Sequence, residues 1–199
     1  MLGAIDARLA AKGEERTRAD LYQLKGLCER MDSEAFLPVT SDEFAPSIPR
    51  RIDQYCVLID DVVGELEREG IADTKKLKAT GARKGYRRYM RIRGNGCHLG
   101  LLWDLWATGR ETPLWLRVYG PDWSHDIAEV RRSLAPLSRE TPPRLIVSPE
   151  GKVFVPLFLP LGKERQDVLS ALVDQIRVVG AMLPDHSLKS ATTPASDAD

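Results

Sequence analysis

The sequence of 199 residues has few of the side chains that usually carry chemistry. It contains three cysteines and three histidines, and its formal net charge is zero because 29 basic residues balance 29 acidic ones. A neutral chain has no overall attraction to nucleic acid or to a charged membrane. The cysteines are dispersed and form no C-x-x-C pair, which is typical of reduced thiols in a cytoplasmic protein.

Apolar segments of membrane length are absent as well. No uncharged stretch before the C-terminal tail is longer than that at residues 94–103, whereas a helix needs about 20 apolar residues to cross a bilayer. The N-terminus carries charges from Asp6 onward and has no apolar segment of the kind found in signal peptides. We therefore expect a soluble cytoplasmic protein with no membrane partner.

No motif for a nucleophile, a metal or a nucleotide is evident. The glycines around Gly94 lack the spacing of a phosphate-binding loop and favour a hairpin turn. Cys97 and His98 are adjacent, so on a strand they point to opposite faces and cannot share a metal. Asp60 and Asp61 fall on the solvated back of an amphipathic helix. The sequence predicts no catalytic residue, no metal ligand and no cofactor.

Hydrophobic periodicity predicts four helices, at residues 16–31, 47–70, 124–138 and 163–183. Between them the period changes to two, which predicts strands at 86–93, 97–106 and 114–119, and a second hairpin at 144–160. Beyond residue 183 the sequence is polar and predicts a disordered tail, 184–199.

Strands grouped in hairpins, without β-α-β crossovers, predict an α+β fold. We expect an antiparallel sheet of about five strands, a three-strand meander plus a hairpin, with helices packed on it and an N-terminal helical hairpin. The predicted divisions are a helical region (1–69), a basic connector (70–85) and a sheet region (86–183) that packs with the helices as one domain. The predicted core consists of Met90, Ile92, Leu101, Trp103, Leu114, Leu116, Ile146, Val153, Val155, Leu172 and Ile176.

Several segments carry a resemblance to known proteins. "GYRRYMRIRG", "HLGLLWDLW", "TPLWLRVYG" and "VFVPLFLPLGKERQDVLSALVDQI", within about residues 20–183, resemble the C-terminal part of uncharacterised bacterial proteins. Some of these carry an N-terminal PD-(D/E)XK-like nuclease region, so the resemblance implies a defence-related or DNA-processing setting. The order of elements also resembles the type III secretion chaperone fold. Glu150-Gly-Lys152 has the E-x-K form of such nucleases, but it brackets a predicted turn, so we expect an accessory unit and not the catalyst.

Charge is zero only on average. Residues 53–73 contain seven acids and one base, whereas residues 74–103 contain no acid and nine bases. Eight of these bases, with the tyrosine that alternates among the arginines, form the predicted nucleic-acid-binding surface: Lys75, Lys76, Lys78, Arg83, Lys84, Arg87, Tyr89, Arg91 and Arg93. Arginines bind phosphate oxygens and a tyrosine ring stacks on bases, so this pattern favours contact with a DNA or RNA backbone.

A second interpretation is that the same arginines form an ordinary solvated strand face. The preceding acidic segment could fold back and neutralise them. Arg88 falls on the predicted core face, where it must be paired or peripheral.

An alternative function is a protein-interaction or chaperone-like module, forming a homodimer or binding a partner protein. Trp106, Trp115 and Tyr119 alternate with the predicted core residues, so they would form an exposed aromatic interface if helices cover only one face of the sheet. If both faces are covered, these rings belong to the core.

Overall fold

The structure, a computed structural model of the chain, describes residues 11, 13–34, 41–82, 85–108, 112–125, 127–140 and 143–187. The chain divides into two compact units, Met1–Ile48 and Pro49–Asp199. The first unit contains helix α1, Glu15–Glu34, and a 3-10 helix, Ser41–Phe44. The second contains the sheet and its helices. Both predicted N-terminal helices are present, and their packing as a hairpin stays a prediction.

Helix α2, Ser47–Arg68, is the helix that the apolar stripe predicts, and the inner positions of that stripe are fully buried. It ends in a Schellman motif. The Ile71 amide donates to the Leu66 carbonyl at 2.9 Å, and the Gly70 amide donates to the Glu67 carbonyl at 3.0 Å. Gly70 has a φ of 72°, a left-handed conformation that costs glycine little.

Three further helices follow the first strands of the sheet. They are α3, Trp103–Thr108; α4, Ala128–Leu134, which continues as a 3-10 helix over Ala135–Arg139; and α5, Arg165–Met182. Among the helices of the described residues, none combines the length and the apolar character that a bilayer span requires.

The sheet is antiparallel throughout and has seven strands within the described residues, which confirms the predicted α+β class. The strands are β1, Ala72–Asp73; β2, Ala79–Ala82; β3, Gly85–Ile92; β4, Asn95–Leu102; β5, Leu114–Pro121; β6, Ile146–Val147; and β7, Val153–Leu157. Their order is β1-β3-β4-β5-β7-β6, and β2 also pairs with β3. The predicted meander is β3-β4-β5, and the predicted hairpin is β6-β7.

Two of the strands lie in the segment 70–85, which the sequence predicts to be a connector. Strands β1 and β2 both pair with β3 and cover its outer edge. They are two and four residues long and carry no alternating apolar residues, so periodicity gave no sign of them. Their backbone groups satisfy those of β3, and this long-range pairing is what orders them.

The predicted second strand is too long by four residues. Strand β4 ends at Leu102, and the chain turns at once into α3. Trp103 and Trp106 are three residues apart on this helix and stack, with ring centroids 6.1 Å apart. Trp103 is therefore not an inward strand residue, and it packs only at the rim of the core.

The β3–β4 hairpin turn consists of Arg93 and Gly94, with φ values of 51° and 76°. Two consecutive positive values are those of a type I′ turn. The turn is also the docking point of the chain's C-terminal end: the His186 amide donates to the Arg93 carbonyl at 2.8 Å, and Asn95 Nδ2 donates to the Pro184 carbonyl at 2.7 Å. The predicted disordered tail therefore begins too early, and residues 188–199 lie outside the described part.

One face of the sheet forms the core. The cross-strand partners on this face run from Met90 to Cys97 to Val118 to Val153, and from Leu101 to Leu114 to Leu157. Helices α2, α4 and α5 cover it with their apolar sides. The predicted core is confirmed apart from Trp103 and Ile146, which packs in a small cluster on the opposite face.

We predict that Leu101→Asp abolishes cooperative unfolding, because Leu101 is fully buried and an unpaired carboxylate there would lose its hydration. The milder Leu101→Ala should lower the free energy of unfolding by about 2–5 kcal/mol. Urea titrations followed by circular dichroism would measure both. Leu161→Asp is the matched control, since Leu161 is 94% exposed. A Leu101→Asp variant that unfolds like the parent would contradict this assignment of faces.

Candidate functional site

Strand β3 has one arginine, Arg88, on the core side. The Arg88 guanidinium lies 3.4 Å from Asp60 of helix α2, and the Tyr86 hydroxyl donates to the same carboxylate at 2.7 Å. Burial, and then the hydrogen bond to Asp60, raise the pKa of Tyr86 to about 12. The acidic helix does neutralise a basic residue, as the second interpretation suggests, but that residue is Arg88 on the core face.

The opposite face of β3 carries Arg87, Tyr89 and Arg91. Strand register places His98 directly beside Tyr89, and Arg117 of β5 beside His98. Together with two rings from the end of β5 they form a continuous surface. We call it the arginine–aromatic face, defined as Arg87, Tyr89, Arg91, His98, Arg117, Tyr119 and Trp123.

Four rings of this face contact one another in a closed cycle. Going around it, the centroid distances are 5.4 Å from Tyr89 to His98, 5.8 Å from His98 to Tyr119, 5.3 Å from Tyr119 to Trp123 and 5.7 Å from Trp123 to Tyr89. The rings meet edge to face or tilted, the arrangements that aromatic pairs prefer. The cluster is therefore a packed platform and not a set of independent side chains.

Trp123 reaches the platform through an unusual turn. Asp122 and Trp123 have φ values of 49° and 63°, a left-handed backbone that is uncommon outside glycine. The turn folds the indole over Gly96 of β4, where an added Cβ would lie 2.7 Å from the ring. Both the strained turn and the missing side chain at Gly96 are needed to seat this tryptophan.

The three arginines of the face have no carboxylate within 4 Å in the described part of the chain, unlike Arg88. Arg117 stacks over the Tyr119 ring, with its Cζ 4.2 Å from the centroid, and Arg91 lies 6.0 Å from the Trp123 centroid. The Nε atoms of Arg87 and Arg117 are buried without a hydrogen-bond partner among these residues. Stacking holds the guanidinium groups of Arg91 and Arg117 in place and leaves their charge available.

His98 is the most buried of the four rings and is only 2% exposed. Its Nδ1 is 3.3 Å from the Tyr119 hydroxyl, and its Nε2 has no partner in the described residues. Burial, followed by the charges of Arg87 and Arg117, lowers the pKa of His98 to about 3. The imidazole is therefore neutral at neutral pH and adds hydrogen-bonding capacity but no charge.

The predicted basic surface is only partly brought together. Lys75, Lys76 and Lys78 are exposed between β1 and β2, and the Lys75 carbonyl accepts a hydrogen bond from Arg91 at 3.4 Å. Arg83 and Lys84 lie outside the described residues. Arg93 was predicted to lie on the same strand face as Arg87 and Arg91, but it does not lie on that face.

Two contacts explain why Arg93 is elsewhere. It occupies the β3–β4 turn, beyond the end of the strand, so the alternation of β3 no longer applies to it. Its guanidinium lies 3.4 Å from the Asp185 carboxylate and donates to the Ala181 carbonyl at 3.1 Å. It therefore serves to dock the C-terminal segment.

The predicted aromatic interface is wrong in its main residue. Trp115 is fully buried, because Leu102, Phe154 and Leu105 of α3 pack around it, and its indole N–H donates to the Thr112 carbonyl at 3.1 Å. It cannot anchor a partner in this conformation. Trp106 is 38% exposed and stacks on Trp103, while Tyr119 belongs to the arginine–aromatic face.

Three residues of the face, His98, Arg117 and Trp123, were missed from the sequence, and Tyr119 was predicted only as part of an aromatic interface. Arg117 alternates with Tyr119 in "LWLRVYG" with the same period as Arg87 and Tyr89, and that signal could have found it. Trp123 has no such signal, since its position depends on a left-handed turn and on contact with Gly96, which is distant in sequence.

The carboxylates do not form a metal centre in the described residues, where no cluster of three metal-ligating side chains is found. Asp61 forms an ion pair with Arg165 of α5. Glu150 and Lys152 form an ion pair across a turn in which Gly151 has a φ of 79°, which confirms the predicted turn.

We predict that acid destabilises the fold through His98. In the unfolded chain this group takes up a proton near its ordinary pKa of 6.5, whereas in the folded chain it stays neutral down to about pH 3. Stability from this group is therefore complete above pH 6.5 and is lost as pH falls. Between pH 7 and pH 5 the loss is about 2 kcal/mol.

Urea unfolding of the parent and of His98→Gln at both pH values would measure this loss. Glutamine cannot take up the proton, and the carboxylates titrate alike in both proteins. The difference between their unfolding free energies should therefore change by about 2 kcal/mol between the two pH values. Identical pH dependence of the two proteins would contradict the assignment.

Comparisons of the chain with protein-family models, with curated proteins and with solved structures found no match. The resemblance to bacterial proteins with a nuclease-like region stays a prediction. The functional interpretation rests on the residues of the arginine–aromatic face: three cations without acidic partners in the described part of the chain, held around a packed platform of four rings on one side of an antiparallel sheet.

Proposed function

We propose that the protein binds single-stranded nucleic acid on the arginine–aromatic face, with little sequence preference, as a non-catalytic accessory unit. One observation carries this proposal. Arg87, Arg91 and Arg117 lack acidic partners in the described residues and surround the aromatic platform, whereas Arg88 on the other side of the same strand is paired with Asp60.

The cations suit a phosphate backbone. A guanidinium group presents several N–H donors in a plane and binds phosphate oxygens with charge-assisted hydrogen bonds. The three arginines are half-buried, so much of their desolvation has already occurred in the folded protein. Lys75, Lys76 and Lys78 add positive charge on the adjoining edge of the sheet, where the Arg91 guanidinium meets the Lys75 backbone.

The rings favour a single strand over a duplex. Bases stack on aromatic side chains only when they are released from their own stack, and each such contact is worth about 1–3 kcal/mol by substitution. Tyr89, Tyr119 and Trp123 are half-buried, so their outer parts remain open to a base. Every base has a π-face, which is why the expected sequence preference is small.

The setting proposed for this activity is the bacterial cytoplasm, in defence or DNA processing. The setting is what the resemblance of residues 20–183 implies. The free Cys56 and the buried, free Cys97 are consistent with a reducing compartment. Burial raises the pKa of Cys97 to about 12, so its thiol remains protonated and unreactive.

We predict that the triple variant Arg87→Ala, Arg91→Ala, Arg117→Ala binds labelled single-stranded oligonucleotides about 10-fold or more weakly at about 50 mM salt. Loss of three phosphate contacts should also flatten the slope of log K against log salt by about 2. Fluorescence anisotropy at several salt concentrations, with single-stranded DNA, single-stranded RNA and a duplex, would measure both quantities.

The matched control is Arg50→Ala, Arg132→Ala, Arg139→Ala, which removes the same charge from exposed helical positions. It should bind nearly as the parent does. Equal weakening in the two triple variants would mean that binding depends on net charge and not on the arginines of this face, which would contradict the proposal. Salt screens phosphate contacts least at the lowest concentration tested, about 50 mM, so absence of binding by the parent protein there would contradict the proposal.

A further inference from the structure

A second feature lies beside the arginine–aromatic face, where β5 leaves the sheet. It is a pocket of about 530 Å³ between the end of β5, helix α4 and the β6–β7 turn. This volume is within the range of small-ligand sites, about 300–1,000 Å³. The polar side chains that line it are Arg117, Tyr119, His125, Arg131, Glu150 and Lys152.

The charges around the pocket are mostly positive. Three cations come from three separate elements: Arg117 from β5, Arg131 from α4 and Lys152 from the β6–β7 turn. The one acid in the lining, Glu150, forms an ion pair with Lys152. Arg131 has no carboxylate within 4 Å in the described residues. The lining therefore has two more positive than negative charges, and cations converging from separate elements are the usual arrangement for binding a phosphate.

Arg117 and Tyr119 belong to both the pocket and the arginine–aromatic face. Arg117 lies between them, stacked on Tyr119 at 4.2 Å, and its buried Nε has no partner in the described residues. The His125 ring lies 6.2 Å from Tyr119 on the pocket side. A strand that crosses the sheet from Arg91 to Arg117 would thus arrive at the pocket after its last contact with the platform.

We propose that this pocket binds the terminal phosphate of the nucleic-acid strand, so that the protein prefers strands whose end carries a phosphomonoester. This inference rests on the proposed function. An internal phosphodiester has one negative charge, whereas a terminal phosphomonoester has about −1.5 to −2 at neutral pH and one more oxygen that can accept hydrogen bonds. The excess of two positive charges in the lining matches the terminal group better than an internal one.

The test compares three unlabelled oligonucleotides of one sequence, with a 5′-phosphate, with a 3′-phosphate or with hydroxyl groups at both ends, as competitors in an anisotropy assay. One phosphorylated form should bind about 10-fold more tightly than the hydroxyl form, the effect of one added charge-assisted contact. The end that produces the gain identifies the polarity of the bound strand.

The variant Arg131→Ala should reduce this gain to about 1-fold, because Arg131 is the pocket cation that is absent from the face and has no carboxylate partner in the described residues. Arg132→Ala, the neighbouring exposed arginine on the same helix, should keep it. Arg87→Ala should weaken binding of all three oligonucleotides alike and also keep the gain, since Arg87 is on the face and not in the pocket.

The outcomes separate this inference from the proposed function. The three oligonucleotides could bind with equal affinity while binding still depends on Arg87. That result would overturn the terminal-phosphate site but would still support nucleic-acid binding on the arginine–aromatic face. Equal loss of the gain in Arg131→Ala and Arg132→Ala would overturn it too, as an effect of helix charge alone. Failure of all three oligonucleotides to bind would overturn both proposals.

Discussion

The antiparallel pairing of β3, β4 and β5 is the constraint on which the rest of the structure depends. Successive residues of a strand point to opposite faces, so burying Met90 and Ile92 beneath the helices places Arg87, Tyr89 and Arg91 on the other side. The register then aligns each of them with a residue of β4. A slip of one residue would exchange the two sets and bury Arg87 and Arg91 in an apolar core, which the desolvation cost forbids.

The same constraint separates the acidic side chains from the arginine–aromatic face, although the chain as a whole has no net charge. Helix α2 covers the core face, and its carboxylates meet cations there and on the neighbouring helix. Asp60 pairs with Arg88, Asp61 with Arg165 and Glu69 with Arg177. Since these ion pairs are on the helical side of the sheet, the acids of α2 do not reach the arginine–aromatic face. A chain with no net charge thereby presents one face whose arginines lack acidic partners in the described residues.

The arginine–aromatic face also contains features that stability alone does not explain. Asp122 and Trp123 adopt a left-handed backbone, and the buried Nε2 of His98 has no hydrogen-bond partner among the described residues. Each of these features costs free energy, and such costs tend to concentrate at functional sites. The opposite end of this face shows the contrast: there Leu102, Trp115 and Phe154 form a small apolar cluster covered by α3, with the one polar group of Trp115 satisfied.

Local patterns in the sequence determined helices α1, α2, α4 and α5, the β3–β4 hairpin, the core residues of β3, β4 and β5, and the shared side of Arg87, Tyr89 and Arg91. These features follow from periods of 3.6 and 2 and from turn residues, which act over a few neighbouring positions. Only the tertiary structure decided that β4 ends at Leu102, that β1 and β2 join the sheet, that Trp115 is covered and that Arg93 leaves the face. It also brought Arg117 and Trp123 to the platform. Each of these depends on contacts between segments distant in sequence, because pairing partners, covering helices and the space above Gly96 exist only once the chain has folded.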